Sequence, residues 1–471
     1  DFDRMVQDTG KFYNGVTEKL FKKNLIDIRH KKFRAVADPL IDFRAGKENP
    51  DTASRIMFQN TRGVRIAGSI GEKFSFETRF YENQARFPDY FESYVRSRGE
   101  KFPKQNGSGY RTTNAVIPGE GRTKPFKIDG FDYASAMGYI TGRPTKFWTL
   151  SFGHDMHFIG NGYRSLLLSD NSFYGPFVRS DLSFFKDRLR ITNIYQGLQN
   201  LYRLKEFNTP ESTYEKKWGT FHYLDYAVTP WLSLGLFEGI VWNRSDSLGT
   251  KPFPYQSLIP VPFVNTAVYG LDNQHNAVLG LNMQLIPVRK FIVYGQFMLD
   301  DLKQKKYGFQ LGLKYFDAFQ IRNLFIGMEY NNITRGTYAQ DNPRNSYSHF
   351  NLPLAHPYGS GFQEVIVQSR YHYYRVFAHY KMNVYLTNNA DTNGVATNDI
   401  FNVQNQIAPG EKATVINHKL ELGYRFNKAN NFQFYMGCLH RLTAIKNSAK
   451  PETFYFFVGI RIKFKNFYDD I

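Results

Sequence analysis

One cysteine in 471 residues and no apolar run long enough for a membrane helix mark this sequence, and each shortage removes a class of structure. Cys438 cannot close an internal disulfide. It falls in the alternating stretch 432–438, on the apolar face, where it is expected as a small hydrophobe. A helix crossing a bilayer needs about 18 consecutive apolar residues, so if this chain enters a membrane it does so as a closed barrel, the other fold that satisfies every backbone polar group in lipid. No composition shift or Pro/Gly/Ser-rich linker cuts the chain, so one large architecture is expected in place of the two or three domains its length suggests. No charged-then-apolar leader precedes Asp1 and no lipoprotein cysteine opens the chain. A mature exported protein is the expectation.

What the sequence has in excess is aromatic. Tyr (32) and Phe (44) dominate an aromatic content of 17%, while mean hydropathy is −0.47. An apolar lipid face, a polar lumen and aromatic rims give a transmembrane barrel that combination. The formal charge of +18 is spread along the chain. It suits a lumen and rims that meet outer-membrane lipid, lipopolysaccharide phosphates and acidic glycans, and no basic face or tail points to nucleic acid.

In chain order, residues 1–37 are expected as a periplasmic segment, with Phe12, Val16 and Leu20 four apart on one face of a short docking helix. Residues 38–471 are expected as the barrel. Period-two alternation places strands at 38–46, 62–70 and 74–80, then at 131–142 and 146–154. Further pairs fall at 177–186 with 189–202 and at 218–228 with 232–242. Tight turns at 143–145, 186–188, 229–231, 287–288, 317–318 and 428–431 separate partners, with proline confined to turns. Long connections fall at 47–61, 84–130, 156–172, 204–214, 244–273, 337–361 and 388–412. Alternating short turns and long loops are the signature of outer-membrane barrels. Between 362 and 386 two strands are needed but no Gly, Pro or Asn separates them, and the turn is placed at Tyr373-Tyr374. The fold class is therefore all-β, an antiparallel outer-membrane barrel of about 18 strands, with 16 as the alternative. Both termini are expected in the periplasm. In the last strand Phe454, Phe456, Val458, Ile460, Ile462 and Phe464 share an apolar face, although the chain runs on to Ile471.

A barrel this wide encloses water unless something fills it. Residues 156–176 are the candidate plug: Leu166-Leu167-Leu168 would be badly placed in solvent, and Gly160-Asn161-Gly162 permits a tight inward hairpin.

The run from Gly160 to Asn171, Gly-Asn-Gly-Tyr-Arg-Ser-Leu-Leu-Leu-Ser-Asp-Asn, with Pro176 beyond it, resembles the Gly-x-Gly, aromatic, Ser-Leu-x-Leu-Ser-x-Asn signature of the Wzi-type capsule assembly barrels. Asn60-Thr61-Arg62-Gly63-Val64 and Glu82-Asn83-Gln84 are similar to a long Bacteroidota branch of that family, some members of which are tied to gliding motility and type IX secretion. The likeness covers roughly residues 38–195. It implies an eighteen-stranded, loop-occluded barrel with a periplasmic helical piece, handling surface glycan without catalysis. This chain has Tyr163-Arg164 where the capsule type has Trp; Arg164 beside Tyr163 either stacks on a sugar and pairs with its acidic groups or locks the plug to the wall.

The candidate contact residues are His154, Asp155, His157, Asn161, Tyr163, Arg164, Ser165, Asp170 and Asn171. Three or four converging ligands make a metal site, and His154 and His157 on a strand end point to different faces, so no metal is expected. Ser165 lacks a nucleophile elbow, and neither an enzyme nor a cofactor is expected. His372, His379 and His418 are isolated in strands and expected to line lumen or rims. Three functions follow: an accessory barrel holding surface polysaccharide or the proteins of a motility or secretion complex, an anion-favouring channel, or a lipid-active enzyme. The inward loop and the Tyr- and Asn-rich contact surface of 331–361 favour the first.

Overall fold

The computed structural model describes residues 15–50, 55–104, 109–203, 213–246, 249–250, 253, 255–269, 275–340, 342–390, 400, 411–445, 451–462 and 468–471. Eighteen antiparallel strands close into one barrel. They are β1 (Phe33–Asn49), β2 (Ile56–Ile70), β3 (Phe74–Arg86), β4 (Gly130–Thr145), β5 (Trp148–Asp155) and β6 (Gly175–Phe184). There follow β7 (Leu189–Arg203), β8 (Tyr214–Thr229), β9 (Leu232–Asn243), β10 (Asn276–Leu285), β11 (Phe291–Asp301) and β12 (Lys306–Phe316). The set ends with β13 (Leu324–Ile333), β14 (Phe362–Tyr373), β15 (Val376–Ala390), β16 (Glu411–Arg425), β17 (Phe432–Ile445) and β18 (Glu452–Ile462). Each pairs with its sequence neighbour, and β1 closes the ring on β18 from Asp42↔Arg461 to Asn49↔Phe454.

Period-two alternation decides which side chains meet lipid and which meet the lumen. On β18, Phe454, Phe456 and Val458 are exposed outward while Tyr455 and Phe457 are buried inward. Cys438 lies on the outer face of β17, in register with Phe456. The turn between β14 and β15 is as tight as expected, with Tyr373 paired to Val376. Tyr374 takes a positive φ of 52° with no glycine present.

Several boundaries move. β1 starts at Phe33 rather than 38, because Ile26–His30 folds back and pairs with 33–37. Pro39 sits where that pairing has ended at Ala37 and the β18 pairing has not begun, so its missing donor costs no ladder bond on that side. The connection expected over 47–61 shortens to 50–55 between β1 and β2. Short connections after Asp301 and after Ile445, which carried no sequence signal, complete the loop end.

The amino-terminal helix α1 (Gly15–Phe21) is present, but its docking face differs from the expected one. Val16 and Leu20 are exposed, and Phe12 lies outside the described residues. Phe21 meets Phe426 edge-on at the turn end. Asn427 donates to the carbonyls of Lys19 and Lys23 at 3.1 and 2.9 Å, so the helix is held by its last-turn carbonyls.

Candidate functional site

The chain leaves the wall at Asp155, runs through the lumen and rejoins it at Gly175. Leu166, Leu167 and Leu168 are fully buried with Phe237, Val241 and Val278 of the wall. Gly160 sits at φ 142°, and a Cβ there would fall 2.3 Å from Gln296 Nε2. A Cβ on Gly162 would fall 2.5 Å from Glu329 Oε2, so both glycines let backbone lie directly on wall side chains.

The backbone of this plug is met by the wall. Gln296 Oε1 accepts from Leu166 N at 2.8 Å, and Glu329 accepts from Tyr163 N and Arg164 N at 2.7 and 3.1 Å. Gln310 donates to the Arg164 carbonyl at 3.1 Å. At the centre, the buried Arg164 guanidinium pairs with Glu364 of β14 and with Asp470, both at 3.1 Å. The rings of Tyr163, Tyr358 and Tyr468 surround it with centroids 4.9, 5.5 and 5.2 Å away. Burial alone would lower its pKa, but Asp470 and Glu364 reverse that and hold it well above the ordinary value. Asp470 is in turn held below the usual carboxylate range, burial opposing, by Arg164 and Lys381.

Asp470 belongs to the carboxyl-terminal stretch that runs on beyond the last strand. Residues 468–471 return into the lumen. Tyr468 donates to Asp170 at 2.6 Å, Lys381 pairs with Asp470 at 2.8 Å, and Lys419 pairs with Asp469. Two long connections expected as surface also fold inward. From 87–129 comes α2 (Asp89–Ser97), whose Tyr90 donates to the Asp469 carbonyl at 2.6 Å and whose Tyr94 donates to the Pro357 carbonyl at 3.3 Å. From 334–361, Tyr338 and Tyr347 donate to the carbonyls of Leu166 and Leu167 at 2.7 and 2.8 Å. His356 donates through Nε2 to Glu364 at 2.8 Å. His349 accepts from Gln199 N at 2.9 Å and meets the Tyr174 carbonyl at 3.2 Å, and burial pushes its pKa down to about 3.

The predicted site residues therefore separate. Arg164, Ser165 and Asn171 are buried and bonded within the protein, so they hold the plug rather than present to a ligand. Ser165 Oγ donates to the Ile159 carbonyl at 2.5 Å and Asn171 donates to the Pro353 carbonyl at 3.2 Å. His154 is on the outer face, edge-on to Tyr174 at 4.8 Å. Asp155 points inward to Arg79 at 3.0 Å. His157 is buried against Phe177, and burial pushes its pKa down to about 3. His154 and Ser165 lie on opposite sides of the wall. His372 and His379 meet inside the lumen, Nε2 to Nε2 3.2 Å, whereas His418, expected at lumen or rim, turns to the outer face and bonds Tyr380 at 2.8 Å.

Asn161, Tyr163 and Asp170 do reach open space. Two clefts flank the plug tip on its turn-end side. One, of about 290 Å³, is lined by Tyr163, Asp170, Tyr294, Lys314, Gln368 and Arg370. The other, of about 250 Å³, is lined by Asn161, Arg179, Arg190, Tyr223, Asp225 and Asn282. At the loop end a second basic and aromatic group gathers. Arg203 lies 3.9 Å over the Tyr214 ring, Arg122 5.7 Å over the same ring, and Arg111 5.5 Å over Phe102. Arg344 reaches Tyr110 Oη at 2.7 Å. Glu100 and Glu215 are the carboxylates paired within this group.

Fold and plug together define an eighteen-stranded barrel of the outer-membrane type whose lumen is filled by its own loops. The fold is similar to that of Wzi, an outer-membrane protein involved in group 1 capsule assembly in Escherichia coli and described as a carbohydrate-binding β-barrel. The TM-score is 0.52 at 12% identity, over 91% of this chain and 85% of that one. OprD of Pseudomonas aeruginosa also matches, at a TM-score of 0.45 and 11% identity over 90% of this chain and 94% of that one. No family model matches the sequence, and no curated protein does.

Proposed function

We propose that this protein sits in an outer membrane, turns and both termini toward the periplasm, and holds an acidic surface polysaccharide at its loop end without passing it through the lumen or modifying it. The observation that carries this reading is the Arg164 node, in which plug, wall and returning tail share one buried set of ion pairs. A lumen closed that way serves as a rigid base for its loops. Arg111, Arg122, Arg344, Tyr110 and Tyr214 supply rings for sugar faces and guanidinium groups for uronate or phosphate. Likeness to a carbohydrate-binding barrel supports the same reading. Retention of an acidic polysaccharide on immobilised protein tests it. We expect binding that falls at least tenfold in an Arg111→Ala, Arg122→Ala, Arg344→Ala triple variant. Equal retention by the variant would overturn the assignment.

A second reading is favoured by the clefts beside the plug tip, whose Arg179, Arg190, Lys314 and Arg370 would form the vestibule of an anion-favouring channel gated by the plug. It requires ion conductance in planar bilayers. A third, docking of motility or secretion proteins on the same loops, requires stoichiometric co-purification after mild detergent extraction.

A further inference from the structure

On β7, β8 and β9 the side chains facing away from the lumen change character partway up the wall. Near the turn end they are apolar: Ile191, Leu224, Leu234 and Leu236. Higher up stand Asn193, Thr220, His222 and Glu238. Their inward neighbours prove the orientation. Phe237 packs in the lumen core, Phe221 meets Tyr347 of the inward loop, and Tyr223 bonds Asn282 beside the plug. Glu238 is six residues above the start of β9, about 15 Å up a tilted strand, well inside an apolar band about 25 Å tall. A carboxylate facing lipid at that depth is untenable without a partner. Yet Glu238, His222 and Ile240 are fully buried.

What covers them is a loop folded down the outside of the wall. Helix α3 (Val264–Tyr269) brings Thr266 against Glu238: its backbone N–H and its hydroxyl both donate to Oε1, at 2.8 and 2.6 Å. Tyr195, also outward, donates to the Leu258 carbonyl at 3.3 Å, and Phe253 packs edge-on against Trp218 at 5.3 Å. His222 bonds Asn193 at 2.7 Å beneath. The opposite side of the segment is apolar and open: Tyr255 is 72% exposed, Leu258 51%, Ile259 40% and Val261 48%.

We propose that residues 255–267 form a strap inserted in the membrane, whose outer ridge of Tyr255, Leu258, Ile259 and Val261 binds lipid acyl chains while its inner face roofs the polar wall. The occupant is lipid because the covered wall stands at hydrocarbon depth and the uncovered ridge carries no charge. The strap replaces a polar band by an apolar one, which lets this sector keep a glutamate at hydrocarbon depth.

The proposal rests on the membrane placement above, and one experiment separates the two. In a Cys438→Ser background, single cysteines at Leu258, Val261, Phe456 and Ile128 are labelled with an environment-sensitive fluorophore, and the folded barrel, checked by heat-modifiable gel mobility, is placed in vesicles. Phe456 marks the lipid face and Ile128 the loop-end solvent. Leu258 and Val261 are expected to follow Phe456, quenched by nitroxide on lipid acyl chains and at least threefold less by aqueous iodide than Ile128. Both strap positions following Ile128 would overturn the strap alone. Phe456 following Ile128 would overturn the membrane placement and the strap with it.

Discussion

Two loops of this barrel leave the same wall in opposite directions, and their faces explain why. The 156–174 loop carries leucines and one arginine into a lumen whose wall offers both apolar and carboxylate partners, a core with Phe237 and Val278 for the leucines and Glu364 for Arg164. The 255–267 segment offers polar groups to a polar patch outside and keeps its apolar ridge turned away. A loop goes where both of its faces are satisfied. The inward loop buries its leucines and its arginine, so its ion pairs are costly to break; the outward one buries only one face.

The largest expected break in that contrast is Arg164→Ala. It takes the guanidinium from Glu364 and leaves Asp470 to Lys381 alone, a loss of about 3–5 kcal/mol for a broken buried pair. The plug should release while the wall stays intact, read as new current steps in a planar bilayer with unchanged heat-modifiable mobility. Next comes Leu167→Ala. Leu167 lies directly on Gly280, which has no side chain to fill the vacated space, so about 2–5 kcal/mol is expected, seen as a lower urea midpoint in vesicles. Thr266→Val should cost about 1–3 kcal/mol by removing the hydroxyl donor to Glu238 Oε1 and leaving it the Thr266 backbone N–H alone. Its midpoint should fall while conductance stays absent, because the strap does not touch the lumen.

The smallest effect is set by pH. His157 and His349 are buried neutral, their pKa lowered from 6.5 to about 3. A histidine whose folded pKa is depressed favours the unfolded chain as it becomes protonated, so stability is full above about 6.5 and lost as pH falls toward about 3, on the order of 1 kcal/mol per pH unit for each. Asp470, held low by Arg164 and Lys381, adds a loss only below its ordinary 3.8. Protease cleavage of the plug should therefore be faster at pH 5.5 than at pH 7.5, with the strap unchanged.

The wall was legible in the sequence because a period of two repeats in every strand, and a turn without turn residues, expected at Tyr373-Tyr374, was located to within one residue of Tyr374-Arg375 by where two strands had to part. The plug was legible because three leucines in a loop need cover. Fifteen-residue strands were read short at their loop ends, as with Ile56–Ile70, expected at 62–70, since alternation fades where side chains meet loops rather than lipid. The partners of the plug carried no local signal. Tyr90 and Asp469 are 379 positions apart, and Arg164 and Asp470 meet through a tail whose sequence, Tyr-Asp-Asp-Ile, has no periodicity to read. Glu238 and Thr266 are closer, but a glutamate on an outward position reads as an error in the strand pattern until the loop that covers it is in place.

The closed lumen is the claim on which the rest depends, and planar-bilayer recording of the wild-type protein at neutral pH tests it most directly. A silent membrane, with steps appearing only when Arg164 is replaced, is the predicted result. Stable current steps from the wild-type barrel would contradict the account and make the clefts beside Asn161 and Tyr163 the mouth of a working channel.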